Sequence, residues 1–327
     1  MCIYCLLTGI GHDQEVDIER LPDPIPRGVF KQVIPHGPPT YIVADLETTD
    51  LIRGDQIPHI TQIAAVEMST GSTFNKYVIP KIPITSAAEN VTKIIMVNEK
   101  VMAVDGVTVE PVPLHVALKK FLSWLESFDN IYIIAHNGRR FDFIVLTAAY
   151  KVCGLLPNFL SAITGLVDSL PVFKHVYPNR TSYKQEDLAR DLLCKGYNAH
   201  NAEADVKCLS ELVSLMVSTQ NDCMIVKSFP PIDIKFNMDC NKEKKKNFPT
   251  LEVLIAAGVM KNATADNIAS SGLNFEHLKT IFRRKGEDGL LNVFTAKNSE
   301  GQPRVTNAKR TLESVVPKLA AYFEKNC

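Results

Sequence analysis

Two hydrophobic periods divide the chain. From residue 40 onward, YIVADLE, ITQIAAVEM and FNKYVIP are short apolar runs separated by polar or turn-forming stretches, which predicts three strands in an antiparallel meander. VPLHVALKKFLSWLESF then places apolar residues at helical spacing, IYIIAH reads as a short buried strand, and FDFIVLTAAYKVCG returns to a helix. LVDSL reads as a further strand. QEDLARDLL and AEADVKCLSELVSLMVS read as helices, the second with Val206, Leu209, Val213 and Met216 along one face. Strands followed by strands alternating with helices predict a mixed α/β sheet with helices packed around it, over residues 40–220.

The flanks follow other patterns. Residues 1–39 hold prolines at 22, 24, 26, 35, 38 and 39, which predicts an extended arm on the surface. Residues 221–249 contain Pro230, Pro231, Pro249 and the run Lys242-Glu243-Lys244-Lys245-Lys246, expected to form a solvated linker. Residues 250–327 form a mainly helical unit on this reading. LEVLIAAGVM, LNFEHLKTIFRRK and AKRTLESVVPKLAAYFEKN have helical periodicity, LLNVFTA is a strand candidate, and Pro317 is expected to bend or restart the last helix.

Composition adds exclusions. With 327 residues, 46% hydrophobic and 22% charged, the chain is ordinary globular material and not disordered throughout. Lys plus Arg and Asp plus Glu both total 36, so no global basic field announces a nucleic-acid binder. The distribution is uneven: residues 1–39 carry 3 basic against 5 acidic (net −2), residues 40–220 carry 16 against 19 (−3), and residues 221–327 carry 17 against 12 (+5). No stretch approaches the roughly 18 to 20 apolar residues of a membrane span, and the opening lacks the positive start of a signal peptide. An intracellular protein is expected, nuclear or cytoplasmic and without membrane attachment. Its eight cysteines are irregularly spaced, as reduced thiols would be, and the one CxxC, Cys2 and Cys5, is a weak zinc signal. The Lys242–Lys246 run suits nuclear import no better than it suits a linker.

The chemistry begins at YIVADLETTDL. Asp45 and Glu47 are two apart on a predicted strand, so both side chains point to one side of the sheet. Two ionised carboxylates on an apolar strand repel and lose hydration, unless the strand end is solvated or a cation sits between them. IIAHNGRRFDFIVL adds Asp142 just after the next strand, and HNAEADVKCL adds His200 and Asp205 at a helix start. Four carboxylates and one histidine suit Mg²⁺ or Mn²⁺ rather than zinc, and two such ions about 4 Å apart are the arrangement that cuts phosphodiesters.

ADLETTDL, HNGRRFD and HNAEADV resemble, in order, the three motifs of the DEDDh class of 3′-to-5′ exonucleases, and the spacing from Asn137 to Asp142 is similar to that of the three-prime repair (TREX) family. The resemblance implies an RNase H-like mixed sheet, an antiparallel three-strand meander plus parallel strands, flanked by helices. It implies two Mg²⁺ ions, with Mn²⁺ able to substitute, held by Asp45, Glu47, Asp142 and Asp205, with Asp45 the bridge and His200 the general base. The product would be a nucleoside 5′-monophosphate, and the partner single-stranded DNA or an unpaired DNA 3′ end. RNA as substrate, or a scaffold that keeps the fold and only binds nucleic acid or protein, are the alternatives. For substrate contact, Leu51 and Ile52 suit a wedge against the terminal base and Thr48 and Thr49 offer hydrogen bonds, although ordinary loop packing explains all four as well; Asn137, Arg139 and Arg140 lie in the second motif, where an arginine suits a phosphate contact or a solvated turn equally. Asp50 stands where the first motif usually has glycine, adding negative charge beside the expected 3′ nucleotide. Neither membrane attachment nor partners of a proline-rich insert between the second and third motifs is expected. With its C-terminal unit, the layout resembles the exonuclease-like C-terminal region of the long isoform of promyelocytic leukaemia protein and its stand-alone relatives. In that unit Arg283, Arg284, Lys285, Arg304, Lys309 and Arg310 are candidates for phosphate contacts beyond the cleaved end, although basic residues also suit a helix C-terminus.

Overall fold

The computed structural model describes residues 21–326, apart from Asn198 and residues 220–222. Cys2 and Cys5 lie outside the described residues, as does the first half of the expected arm. The chain divides into two compact units, Gly28–Lys235 and Met1–Arg27 with Phe236–Cys327.

The first unit opens with β1 (Thr40–Thr48), β2 (Ile60–Glu67) and β3 (Thr73–Ile79), an antiparallel meander as the alternating runs predict. Residues 80–113, which show no clear period, form α1 (Ser86–Thr92), capped by the Thr85 side chain, then β4 (Ile94–Met96), β5 (Met102–Val104), β6 (Val107–Val109) and the two-residue β7 (Val112–Pro113). Next come α2 (Leu114–Leu125), β8 (Ile131–Ala135), α3 (Asp142–Val152), α4 (Leu156–Ala162) and β9 (Gly165–Asp168). The unit continues through α5 (Ser169–Val176), α6 (Gln185–Leu192), α7 (Ala202–Thr219), α8 (Cys223–Val226) and β10 (Ser228–Phe229).

The main sheet has seven strands in the order β10-β9-β8-β1-β2-β3-β7. Strand β8 pairs parallel to β1 and β9 parallel to β8, so the meander and the crossover strands meet at β1. This is the RNase H-like mixed sheet expected from the sequence. Burial explains the pairing: every residue of β2 and β8 is buried, as central strands require. Helix α7 lies across β1 and β2, and Val206, Leu209 and Val213 join Val43, Ile134 and Val167 in one core. The apolar face read from the sequence is therefore the face that docks α7 on the sheet.

The stretch expected as a solvated linker is mostly helix. Helix α9 (Ile232–Ala256) runs through the lysine-rich stretch, contains Pro249, and holds the division between the two units, which falls after Lys235. Lys244 pairs with Asp266, which helps a charged run remain helical. Helices α10 (Asn262–Ser270), α11 (Phe275–Thr295) and α12 (Lys309–Asn326) complete the second unit. LLNVFTA, a strand candidate by composition, is the end of α11; the break in that helix is at Gly286, where φ is +58°. Pro317 lies inside α12 without ending it. Leu254, Ile268, Leu278, Ile281, Phe294 and Phe323 share the core of this unit, and Leu21 packs against it.

Arg304 is not a surface cation. It is 4% exposed, and its guanidinium donates to the carbonyls of Pro22 (2.7 Å) and Ser271 (3.2 Å). Burial pushes its pKa down to about 10. Arg27 donates in turn to the carbonyls of Arg304 (2.5 Å) and Val305 (3.1 Å). The two arginines fasten residues 22–27 to the helical unit, so the phosphate contact expected of Arg304 gives way to a structural role. Sequence periodicity does not report such backbone-directed pairing.

Candidate active site

Strand β1 carries Asp45 and Glu47 on one side, and the first turn of α7 brings Asp205 to them. Ligand oxygens of these three carboxylates all lie within 4.8 Å of one another. The register of β1 against β2 shifts between Glu47 and Thr48, so the strand ends in a bulge immediately after Glu47. Asp142 is the first residue of α3 and is buried; its carboxylate accepts from the backbone N–H of Leu46, between the two β1 acids. Asp142 thus forms the next wall of the same acidic basin, outside the tight trio.

The electrostatics match this crowding. Burial, and then the charges of Asp142, Asp205 and Glu47, hold Asp45 well above the usual carboxylate range. Burial and the charges of Asp205 and Asp142 push Glu47 up to about 8. Asp142 is pushed up to about 7, chiefly by burial, although backbone N–H donors oppose the shift. Burial also raises Asp205, opposed by the Tyr197 hydroxyl, the charge of His200 and the backbone N–H groups of His200 and Asn201. Four acids that resist ionising together form a donor set of hard oxygens that a divalent cation would relieve. Asp45, Glu47, Asp205 and Asp142 are the residues able to hold such ions.

His200 stands at the entrance to α7 with φ +64°, in the left-handed region. Its side chain is 55% exposed, and Nε2 lies 3.7 Å from Glu186 of α6. The imidazole is not part of the tight carboxylate group. Its backbone nevertheless holds Asp205, which ties the general-base candidate to the acid five residues later.

The loop after β1 uses its own polar groups. Thr48 Oγ1 donates to the Asp50 carbonyl (2.6 Å), and Thr49 Oγ1 accepts from the His59 N–H (3.1 Å), so both hydroxyls are engaged inside the loop. Leu51 is 66% exposed and Ile52 is half-buried, leaving an apolar tip beside the basin. The extra charge of Asp50 is answered locally. Arg53 donates to both Asp50 oxygens (2.7 and 3.1 Å) and lowers its pKa. In the second motif, Asn137 adopts φ +58°, and Gly138 has no room for a Cβ, which would stand 2.7 Å from Ala135 and 2.9 Å from the Phe143 ring. Arg139 and Arg140 are exposed on this turn.

Several supporting residues carry no motif signal. Asp168, at the end of β9, accepts from the N–H groups of Leu170 (3.0 Å) and Arg139 (3.3 Å), joining the cap of α5 to the second-motif turn. Tyr197 donates to Asp205 (2.8 Å), and Gln185 reaches its carbonyl (2.9 Å). Gln62, fully buried on β2, accepts from the Ala202 N–H (3.2 Å) and donates to Asn75 (3.1 Å), which donates to Glu203 (2.7 Å). These links fix the first turn of α7 against the sheet. A glutamine within a mostly apolar, fully buried strand is the one signal of them in the sequence.

Residues 42–213, just over half of the chain, match the family model described as Exonuclease. The chain belongs to the exonuclease family. Residues 247–326 of the chain match a second model, that of the C-terminal domain of PML. Exonuclease DPD1, chloroplastic/mitochondrial, from Arabidopsis thaliana is 31% identical over 225 residues, 62% of this chain and 65% of the relative. Protein PML from Homo sapiens is 26% identical over 193 residues, 55% of this chain and 19% of the relative. Among solved structures, Escherichia coli exonuclease I in complex with a dT13 oligonucleotide is similar with a TM-score of 0.47 at 18% identity, covering 56% of this chain and 42% of that one. The chain therefore spans less than two thirds of each of these proteins.

Proposed function

We propose that this exonuclease removes nucleotides from the 3′ ends of single-stranded or unpaired DNA, releasing nucleoside 5′-monophosphates with the help of two Mg²⁺ ions, for which Mn²⁺ substitutes. The observation that carries the reading is the convergence of Asp45, Glu47 and Asp205 within 4.8 Å, with Asp142 electrostatically joined to them. Asp45, Glu47, Asp142 and Asp205 would hold the ions. Bound there, divalent cations supply Lewis acidity that favours deprotonation of the attacking water and offsets charge on the leaving 3′ oxygen.

The other steps belong to side chains. His200 takes the proton of the attacking water, as an imidazole near neutral pH does when it reaches hydrogen-bond distance; its exposed position leaves it able to turn toward a bound substrate. Leu51 and Ile52 support the terminal base, while the Thr48–Thr49 loop, with its hydroxyls committed internally, shapes the pocket through its backbone. Asn137 fixes the second-motif turn, and Arg139 and Arg140 offer cations to phosphates. None of these groups reads a base edge, so cleavage has little sequence preference.

The test of substrate class is parallel digestion of matched DNA and RNA strands, single-stranded and duplex, with Mg²⁺ and with chelator. Metal-dependent shortening of DNA from its 3′ end, faster on unpaired ends, is expected. Preferential digestion of RNA would make the protein an exoribonuclease, and metal-stable binding without shortening would make it a scaffold.

A further inference from the structure

Phe30 lies ten residues before the first strand and twelve before the segment that matches the exonuclease model. It adopts φ +53°, a backbone conformation that a bulky side chain accepts only when its surroundings demand it. The demands are visible. The Phe30 N–H donates to the Asp233 carboxylate (2.6 Å), and its ring meets Phe229 edge-on at 5.1 Å between centroids. Phe229 in turn meets Phe143, the neighbour of Asp142, at 6.1 Å. Gly28 passes so close to the backbone of Asp233 that a Cβ would stand 2.6 Å from its carbonyl oxygen. The far face of this aromatic platform is covered by Arg139, whose guanidinium carbon is 3.4 Å from the centre of the Phe30 ring.

A guanidinium stacked on a ring keeps its N–H donors in its own plane, pointing past the ring edge. No side chain or carbonyl among the described residues accepts from the Arg139 guanidinium, although its backbone N–H is held by Asp168. Arg139 is therefore a cation fixed at both ends whose guanidinium pairs with no carboxylate among the described residues, three residues from Asp142, in a segment whose net charge is −3. A polyanion approaching an acidic basin needs such a group. Fixing the side chain before binding also removes much of the entropy cost of a mobile arginine gripping a phosphate.

We propose that Phe30 is a positioning residue for nucleic-acid binding: its ring presets Arg139 so that the guanidinium edge receives a phosphate of the bound strand. The inference rests on the nuclease reading given above and extends the binding site into the arm, outside the segment that carries the motifs. Arg140, on the same turn, has no such platform.

The test is steady-state cleavage and fluorescence-anisotropy binding of labelled oligo(dT) by the full chain and four variants. Arg139→Ala is expected to raise KM and Kd about tenfold, the scale of one charge-assisted contact, with kcat within about twofold. Phe30→Leu keeps apolar bulk against Phe229 but removes the ring; it is expected to raise both about threefold, and Phe30→Tyr to restore them. Phe30→Leu combined with Arg139→Ala is expected to be no worse than Arg139→Ala alone, and both Arg139 variants to lower the salt slope of binding by about 0.7. Additive losses, unchanged binding in Phe30→Leu, or a fall in kcat at constant KM would overturn the proposal. Should the wild type release no nucleotide, the nuclease reading fails, while the anisotropy comparison still decides whether Phe30 acts through Arg139.

Discussion

The acidic residues show what a linear motif can and cannot convey. Asp45 and Glu47 are legible because ionised carboxylates two apart on an apolar strand are costly unless something cationic meets them, and the order of the motifs points to Asp142 and Asp205, while the imidazole of His200 lies outside the tight carboxylate group. Asp168 is not, because its partners are backbone amides of Leu170 and Arg139, which leave no pattern in side-chain identity. Asp50 reads as a liability in the sequence, yet Arg53, three residues on, answers its charge. His200→Ala is expected to lower turnover by roughly 10²- to 10⁴-fold, the usual scale of general-base loss, while metal affinity measured by calorimetry stays unchanged. Loss of metal binding in that variant would make His200 a ligand. A pH effect follows from the raised acids. Glu47 at about 8 and Asp142 at about 7 bind protons in the folded chain at pH values where the unfolded chain has released them. Folded stability without metal therefore falls as pH rises from about 4 toward 8. Thermal unfolding in chelator should show this decline, and Mg²⁺ should flatten it by favouring the ionised acids; a stability that rises with pH in chelator would contradict the basin as described.

At the scale of elements, strong periods are legible and context is not. The meander, β8, β9, α6 and α7 follow from alternation or from helical spacing, and β1, β2, β8, β9, α6 and α7 are reinforced by burial in one core. The small sheet β4-β5-β6 escapes because three-residue strands carry too few positions to establish a period. The lysine run reads as solvated linker for its charge and prolines, but a long helix accommodates charge on an exposed face, and the ion pair of Lys244 with Asp266 supports it. LLNVFTA illustrates the reverse ambiguity, since a short apolar run fits a strand or a buried helix equally well. The element that matters most for chemistry is the first turn of α7, held to β2 and β3 through Gln62, Asn75 and Glu203. Gln62→Ala leaves the Ala202 N–H and the Asn75 carbonyl oxygen without their partner. The expected loss is about 1–3 kcal/mol in chemical denaturation, together with weaker metal binding as Asp205 loses its anchor. Unchanged metal affinity would show that Asp205 is positioned without help from Gln62.

At the scale of the whole molecule, the charge imbalance between segments gains a physical meaning: residues 40–220 are net −3 and residues 221–327 net +5. Residues 247–326 are similar to the PML C-terminal domain, whereas the compact unit that contains them begins at Phe236 and includes residues of the N-terminal arm. Burial of Arg304 removes one of the six basic residues that suit phosphate contacts. Five remain: Lys309 and Arg310 at the start of α12, and Arg283, Arg284 and Lys285 ahead of the break at Gly286. Replacing these three with alanine is expected to weaken binding of long oligonucleotides more than short ones, reducing the salt slope by about 0.7 for each phosphate no longer neutralised. Equal affinity for both lengths would leave the unit as a structural or protein-docking module. The central claim, a carboxylate basin that cuts phosphodiesters from the 3′ end, is tested most directly by incubating the full chain and its Asp205→Asn variant with 5′-end-labelled single-stranded DNA, with and without Mg²⁺. The wild type should give a ladder shortening from the 3′ end only with metal, releasing nucleoside 5′-monophosphates, and the variant should stay folded and give none. Near wild-type cleavage by Asp205→Asn, or a ladder that persists in chelator, would contradict it.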